Sequence, residues 1–370
     1  MEVCLLGTGG GRGWPQPGCR CASCARAAAA GRHREPTRLL VDGVLRIEPG
    51  RAPVPSPGYR VEAGPGGWAV TGPDGARLLV GDGPGGVPGQ SDEPGAGPGP
   101  GTGPGAPFDI VLLDLLGDPA RLGALRHQGL VRPSAVVAVL AADHRVPSEE
   151  ELARRCGYWC AAIPRDGDVL TAAPGTRPDA EPAGPEPGQP RRVLVLGGAR
   201  SGKSRHAELR LAAEPEVTYL AAGPYPDGAQ PEGDEDWARR VAAHRARRAP
   251  WWQTVESSEP AKLLRNGTGV ILFDGAGTWL AAVMQEAGAW HGADGAEELI
   301  AARVDELVGA WRQTPARVVA VSDEVGSSIH PPTSAGRLFR DQLGWLNQRL
   351  AAESEEVVLV VSGRVLTLPT

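Results

Sequence analysis

Eight consecutive residues limit what this chain can fold into more than any other feature. Gly197-Gly198-Ala199-Arg200-Ser201-Gly202-Lys203-Ser204 follow the apolar run Val193-Leu194-Val195-Leu196 and open a helix-like stretch. They satisfy the spacing G-x-x-x-x-G-K-[ST], with strand, loop and helix in the order that spacing needs. The glycines let backbone N–H groups turn toward a phosphate, and the helix that follows directs its positive end at the same point. On this reading residues 197–204 cradle a nucleotide, Lys203 contacts the β and γ phosphates, and the Ser204 hydroxyl coordinates Mg²⁺. The alternative, a Gly-rich strand-to-helix turn that binds nothing, fits poorly with a full motif in full context. Of the 38 basic residues only Lys203 and Lys262 are lysines, and one of them completes the motif.

After residue 190, apolar runs alternate with helix-like stretches. The runs are 193–196, 217–221, 270–273, 318–321 and 357–361; the helical stretches are 203–213, 237–248, 296–312 and 336–352. Unbroken apolar strands separated by helices predict a parallel sheet covered on both faces, so 191–370 is expected to be a doubly wound, RecA-like P-loop α/β domain. Such a site needs a carboxylate for its metal, normally at the end of a neighbouring apolar strand. Asp274 closes Val270-Ile271-Leu272-Phe273 and stands in such a place, although Asp-Gly is also an ordinary turn dipeptide.

With 370 residues, two cores are expected. Segments 83–107 and 174–190 are dominated by Gly and Pro and cannot pack a core. The first is expected to be a disordered insertion in a β-rich domain spanning 1–173, the second a linker. A net charge of −6, from 38 basic and 44 acidic residues, argues against nucleic acid or an anionic membrane as the main partner. No run approaches the roughly 18 apolar residues a spanning helix requires, and the N-terminus lacks a signal-peptide pattern, so a cytoplasmic protein is expected. The six cysteines all precede Gln189, and Cys19, Cys21 and Cys24 stand too close to pair comfortably with one another.

The residues around the phosphate motif are more specific than the motif. Gly197 to Ser204 with the tail Arg205-His206-Ala207-Glu208 resembles the opening signature of the bifunctional adenosylcobinamide kinase/adenosylcobinamide-phosphate guanylyltransferase family. Arg240-Val-Ala-Ala-His244-Arg245 with Trp252-Gln-Thr-Val-Glu256 resembles its guanylylation segment. Asp323-Glu324-Val325-Gly326 resembles its T-N-E-V-G strand end, Phe339-Arg340-Asp341 with Gly344, Asn347, Gln348 and Ala351 its long helix, and Leu359-Val-Val-Ser-Gly363 its close. The resemblance spans 191–370. It departs at Gly275 (usually Cys), Gly277 (often Thr), Ser322-Asp323 (Thr-Asn) and a long segment 224–233.

This resemblance implies two reactions with GTP, ATP and Mg²⁺. Adenosylcobinamide is phosphorylated by a nucleoside triphosphate, and the phosphate then receives GMP from GTP to give adenosylcobinamide-GDP and pyrophosphate. It also implies a homo-oligomer, and it assigns the GMP-carrying histidine to His244. A neutral imidazole is a competent in-line nucleophile for that step. The resemblance places Arg245, Ala246, Arg247 and Arg248 against GTP, where arginines suit phosphate. A solvated basic helix face is the plain alternative. It gives Glu256 the guanine N1 and N2 donors and Ala221, Ala222 and Gly223 backbone contact with nucleotide; His206 reads as structural. Two other functions stay open from sequence: a P-loop kinase without guanylyl transfer, and a non-catalytic nucleotide- or zinc-binding regulator.

The N-terminal half, through Val3-Cys-Leu-Leu-Gly-Thr-Gly-Gly10, Gly13-Trp-Pro-Gln-Pro17 and Cys19-Arg-Cys21-Ala-Ser-Cys24, resembles metallo-β-lactamase-like hydrolases of the phosphodiesterase type. The resemblance implies a structural zinc on Cys19, Cys21, Cys24 and a ligand from elsewhere. Three thiolates so close can share one tetrahedral ion, or stay reduced thiols; His33, His144, Cys156 and Cys160 are the candidates for a fourth ligand. No H-x-H-x-D-H occurs, so this half is expected to be a truncated, hydrolytically dead relative.

Overall fold

The structure, a computed structural model, describes residues 1–81, 106–172, 189–222, 242, 245–327 and 329–369. The expected insertion at 83–107 and linker at 174–190 fall almost wholly outside the described residues, as do Gly223 and His244. The chain divides into two compact units, Met1–Ala183 with Ala212–Pro215, and Gly184–Leu211 with Glu216–Thr370.

The first unit is built on two sheets. One is antiparallel, in the order β3 (Leu45–Ile47), β2 (Arg38–Val41), β1 (Glu2–Gly7), β9 (Val169–Thr171). The other runs β4 (Arg60–Gly64), β5 (Gly67–Thr71), β6 (Arg77–Gly81), β7 (Phe108–Leu113), β8 (Val131–Val139), and its last three strands are parallel. Val3, Leu5, Leu39 and Val41 of the first sheet share one core with Val70, Leu78, Val80, Ile110 and Leu112 of the second. Helices α1 (Ala22–Ala29), α2 (Ala120–His127) and α3 (Glu149–Tyr158) complete the unit, which is therefore mixed α/β and less purely β-rich than the sequence suggested. The strand β7 is buried at five of its six positions, as a parallel strand covered on both faces should be.

The second unit holds a seven-stranded sheet in the order β12 (Gln253–Glu256), β11 (Thr218–Ala221), β13 (Val270–Asp274), β14 (Arg317–Asp323), β10 (Arg192–Gly197), β15 (Glu356–Val361), β16 (Arg364–Leu368). All pairings are parallel except β15 with β16. Alternation along the strands feeds two cores. Leu194, Leu196, Ile271, Phe273, Val318 and Ala320 pack with residues of α5 (Pro260–Asn266), α6 (Ala276–Glu286), α7 (Ala296–Gln313) and α8 (Ser334–Ala352). Val193, Val195, Leu272, Val319 and Val321 pack instead with Ala207 and Leu211 of α4 (Lys203–Leu211). Helices thus cover both faces, as the unbroken apolar runs predict.

One strand departs from the all-parallel expectation. Ser362 and Gly363, at φ 50° and 72°, form a two-residue turn with both residues in the left-handed region, and this folds β16 back on β15. The sequence reading also passed over β12, α5 and α6.

Candidate functional site

The strand order places the C-terminal ends of β10, β14 and β13 side by side, and the loop after β10 is the Gly-rich motif. Its glycines are there for different reasons. A Cβ on Gly197 would lie 2.4 Å from Ser201 Oγ and 2.7 Å from the Val360 carbonyl, so no side chain fits. Gly202 has φ +98°, a conformation L-residues rarely adopt. The loop closes through Ser201 N–H on the Gly198 carbonyl (3.2 Å) and enters α4 through His206 N–H on the Gly202 carbonyl (2.9 Å). Arg200 sits in the left-handed region at φ 58°. The β15–β16 turn braces the loop from outside, Gly363 N–H donating to the Ser201 carbonyl at 2.8 Å.

Five side chains converge on the mouth of this loop. Lys203, at the start of α4, reaches back so that Nζ donates to the Gly198 carbonyl (3.3 Å) and pairs with Asp323 Oδ1 (2.7 Å). Ser204 Oγ lies 3.4 Å from Asp274 Oδ1, and the Tyr219 hydroxyl donates to Asp274 Oδ2 at 2.7 Å. Burial first, and the Asp274 carboxylate second, raise the Tyr219 pKa, so the phenol stays a proton donor to Asp274 across the physiological range. Ser204 and Asp274 together offer a hydroxyl and a carboxylate, the hard oxygen donors that suit Mg²⁺. Two members of this group, Tyr219 and Asp323, were not singled out from sequence as site residues.

The arginines expected to meet GTP are all engaged with protein groups. Arg245 pairs with Glu256 at 2.9 Å, joining two residues assigned to different parts of the nucleotide. Arg247 binds both oxygens of the buried Glu208 (2.9 and 3.1 Å), which holds its pKa above the usual value. Arg248 stacks over the Tyr219 ring. Ala246 is exposed between them. Ala221 ends β11 in register with Asp274 and with Glu256, and Ala222 follows it, buried. Arg247 and Arg248 therefore tie this segment to the P-loop helix and to the tyrosine that holds Asp274.

The first unit carries a separate cluster. Cys19, Cys21, Cys24 and His144 present ligand atoms that all lie within 4.8 Å of one another. His144 Nδ1 stands 3.6 Å from Cys19 Sγ and 3.8 Å from Cys24 Sγ. A tetrahedral zinc with Zn–S of about 2.3 Å and Zn–N of about 2.0–2.1 Å needs ligand edges of about 3.6–3.8 Å, so the donor set fits that ion. The two loops are fastened together by Trp14 Nε1–H donating to Ser23 Oγ and Ser23 Oγ–H donating to the Val146 carbonyl. Cys21 is the N-cap of α1, and the Cys24 amide it accepts lowers its pKa, whereas burial pushes Cys24 up to about 11.

The other three candidates for the fourth ligand are elsewhere. His33 is exposed beside Glu35, Cys156 is buried in α3 with its pKa pushed to about 12 by that burial, and Cys160 lies beyond the helix at φ 51°. Asp143, next to His144, turns away from the thiols: Arg145 binds it at 2.9 Å and the buried Asp114 at 2.6 Å.

The second unit is thus a P-loop α/β domain whose loop, strand-end carboxylate and serine stand in one site. Residues 193–368 match the family described as cobinamide kinase/cobinamide phosphate guanyltransferase. The bifunctional adenosylcobalamin biosynthesis protein CobU of Escherichia coli (strain K12) is 37% identical over 180 residues, covering 46% of this chain and 96% of that protein. Its counterpart of the same name in Salmonella typhimurium is 36% identical over 181 residues (46% and 96%). The bifunctional protein CobP of Pseudomonas aeruginosa is 36% identical over 185 residues (48% and 96%). The chain belongs to the cobinamide kinase/cobinamide phosphate guanyltransferase family. A solved ATPase of the type III secretion system of pathogenic bacteria aligns over 46% of this chain and 50% of that one, at 12% identity and a TM-score of 0.29, a likeness too small to carry an argument.

Proposed function

We propose that the second unit phosphorylates adenosylcobinamide with a nucleoside triphosphate, and then transfers GMP from GTP to the product, giving adenosylcobinamide-GDP and pyrophosphate. The observation that carries this reading is the meeting of Lys203, Ser204 and Asp274 at the ends of adjacent elements in a chain of this family. Backbone N–H groups of 197–204 and the Lys203 ammonium bind and orient the phosphates. Ser204 and Asp274 would hold Mg²⁺, which neutralises charge on the phosphoryl oxygens. Tyr219 keeps one Asp274 oxygen occupied and leaves the other toward Ser204.

The second reaction needs a nucleophile at the α-phosphorus of GTP, and His244 is our assignment. Its imidazole nitrogen forms a bond to that phosphorus as pyrophosphate leaves, and an oxygen of adenosylcobinamide phosphate then displaces the imidazole. Arg245 and Glu256 are proposed to exchange their mutual pairing for phosphate and guanine contacts. The test is incubation of adenosylcobinamide with GTP and Mg²⁺, expected to yield the phosphate first and adenosylcobinamide-GDP after it. Formation of the phosphate alone would leave a kinase without guanylyl transfer; formation of neither would remove the proposal.

For the first unit we propose a structural zinc on Cys19, Cys21, Cys24 and His144, in a relative of metallo-β-lactamase-like hydrolases without their catalysis. Purified protein is expected to hold about one zinc per chain, with loss of the metal in Cys19→Ser and in His144→Ala alike, because a structural ion needs all four ligands. Metal analysis showing zinc retained in both variants would overturn the assignment.

A further inference from the structure

The P-loop lysine already has an anionic partner. Asp323 ends β14, the strand between the one that leads into the loop and the one that ends on Asp274, and its register partner on β10 is Gly197. Its backbone is held on both sides, Glu324 N–H donating to the Gly197 carbonyl (3.0 Å) and Asn347 Nδ2–H to the Asp323 carbonyl (3.0 Å). Asn347 is itself fixed by the buried Ser322 hydroxyl, which donates to its Oδ1 at 2.6 Å. From this anchored position Asp323 Oδ1 meets Lys203 Nζ at 2.7 Å, while Oδ2 lies over the first turn of α6, 3.3 Å from where a Cβ on Gly277 would stand. Gly277 therefore leaves room for the carboxylate. The Lys203 side chain is 15% exposed and that of Asp323 40% exposed, so the pair sits at an open mouth and its screening is incomplete.

A phosphate that takes Lys203 as its partner must displace Asp323 or lie against it. We propose that Asp323 sets the nucleotide affinity of this site: it holds Lys203 when the loop is empty, competes with the incoming phosphate for it, and makes binding depend on a divalent cation that offsets the repulsion. This rests on reading 197–204 as a phosphate cradle, and deepens it by naming the residue that regulates entry. Two negative groups brought into contact at a half-exposed site repel enough to weaken binding by about tenfold or more. A cation held between phosphate and carboxylates removes that repulsion, so the carboxylate costs affinity chiefly when no metal is present.

The experiment is equilibrium binding of GTP to the full chain by calorimetry, in EDTA and in millimolar Mg²⁺, for wild type, Asp323→Asn, Asp323→Ser and Lys203→Ala, with thermal melts to confirm folding. Asp323→Asn keeps size and removes charge; Asp323→Ser covers the case in which the amide is misplaced. Both are expected to bind metal-free GTP about tenfold more tightly than wild type and to gain less from Mg²⁺. If the folded Asp323 variants bind metal-free GTP no better than wild type while Lys203→Ala loses binding, the competition is overturned and the cradle stands. If Lys203→Ala binds GTP as wild type does, the cradle itself fails and this inference goes with it.

Discussion

Lys203→Ala is expected to reduce both phosphorylation of adenosylcobinamide and guanylylation of adenosylcobinamide phosphate, each by about 10²-fold or more in kcat/KM. The chain has a single G-x-x-x-x-G-K-[ST] motif, so on the proposed function one cradle serves the triphosphate in both reactions. The ammonium acts where charge builds on the phosphoryl oxygens, and water in its place supplies no fixed positive charge. Lys203→Arg is expected to rescue little, because the planar guanidinium is larger than the point-like ammonium that fits between Gly198 and Asp323. The two steps are measured separately, starting from adenosylcobinamide and from its phosphate, with a thermal melt to show that the variant is folded. Kinase turnover near the wild-type rate would mean that the shared cradle is wrong; loss of one reaction only would mean that the two use different phosphate sites.

The Gly-rich loop was legible in sequence because its demands are local. Gly202 must adopt a positive φ and Gly197 must admit neighbouring backbone, and both constraints fall within eight residues of the lysine. The place of Asp274 at the end of β13 was legible because it closes an apolar run, although an Asp-Gly turn would read the same way in sequence. The strands with near-continuous apolar runs were legible too, whereas β12 has Val255 as its sole apolar residue and lies at the sheet edge, so no pattern announced it. The start of α6 was hidden by Gly275 and Gly277, poor helix formers, of which Gly275 caps the helix at φ 108° and Gly277 leaves room for Asp323 and Leu343.

What remained hidden depends on long-range register. His144 was one of four candidates for the fourth ligand, but it stands 125 residues from Cys19, and the fastening of the two loops through Ser23 and Val146 that brings it to the thiols is not encoded locally. Asp323 reaches Lys203 because β14 is inserted between β10 and β13, a strand order that periodicity does not encode. The arginines after His244 show the same limit: the family resemblance implies contact with GTP, and the structure pairs Arg247 with Glu208 and stacks Arg248 on Tyr219. A basic cluster can thus brace a site as well as contact a ligand, and sequence alone does not separate the two.

His244→Ala is expected to divide the reactions that Lys203→Ala removes together. Phosphorylation of adenosylcobinamide can proceed by direct attack of the substrate hydroxyl on the γ-phosphorus, which needs the cradle, the cation and orientation but no protein nucleophile. Guanylyl transfer through the proposed route needs an imidazole at the α-phosphorus. The variant should therefore form adenosylcobinamide phosphate within a few-fold of the wild-type rate and make adenosylcobinamide-GDP at least about 10³-fold more slowly, since the nucleophile of a covalent route is removed outright. Incubation with α-labelled GTP and Mg²⁺ should place acid-labile, base-stable label on wild type and none on the variant, as a phosphoramidate requires. Labelled wild type, freed of GTP, should pass its GMP to adenosylcobinamide phosphate. Adenosylcobinamide-GDP made by His244→Ala at near the wild-type rate would reject the covalent route, and direct attack of the substrate phosphate on GTP in the same cradle would replace it.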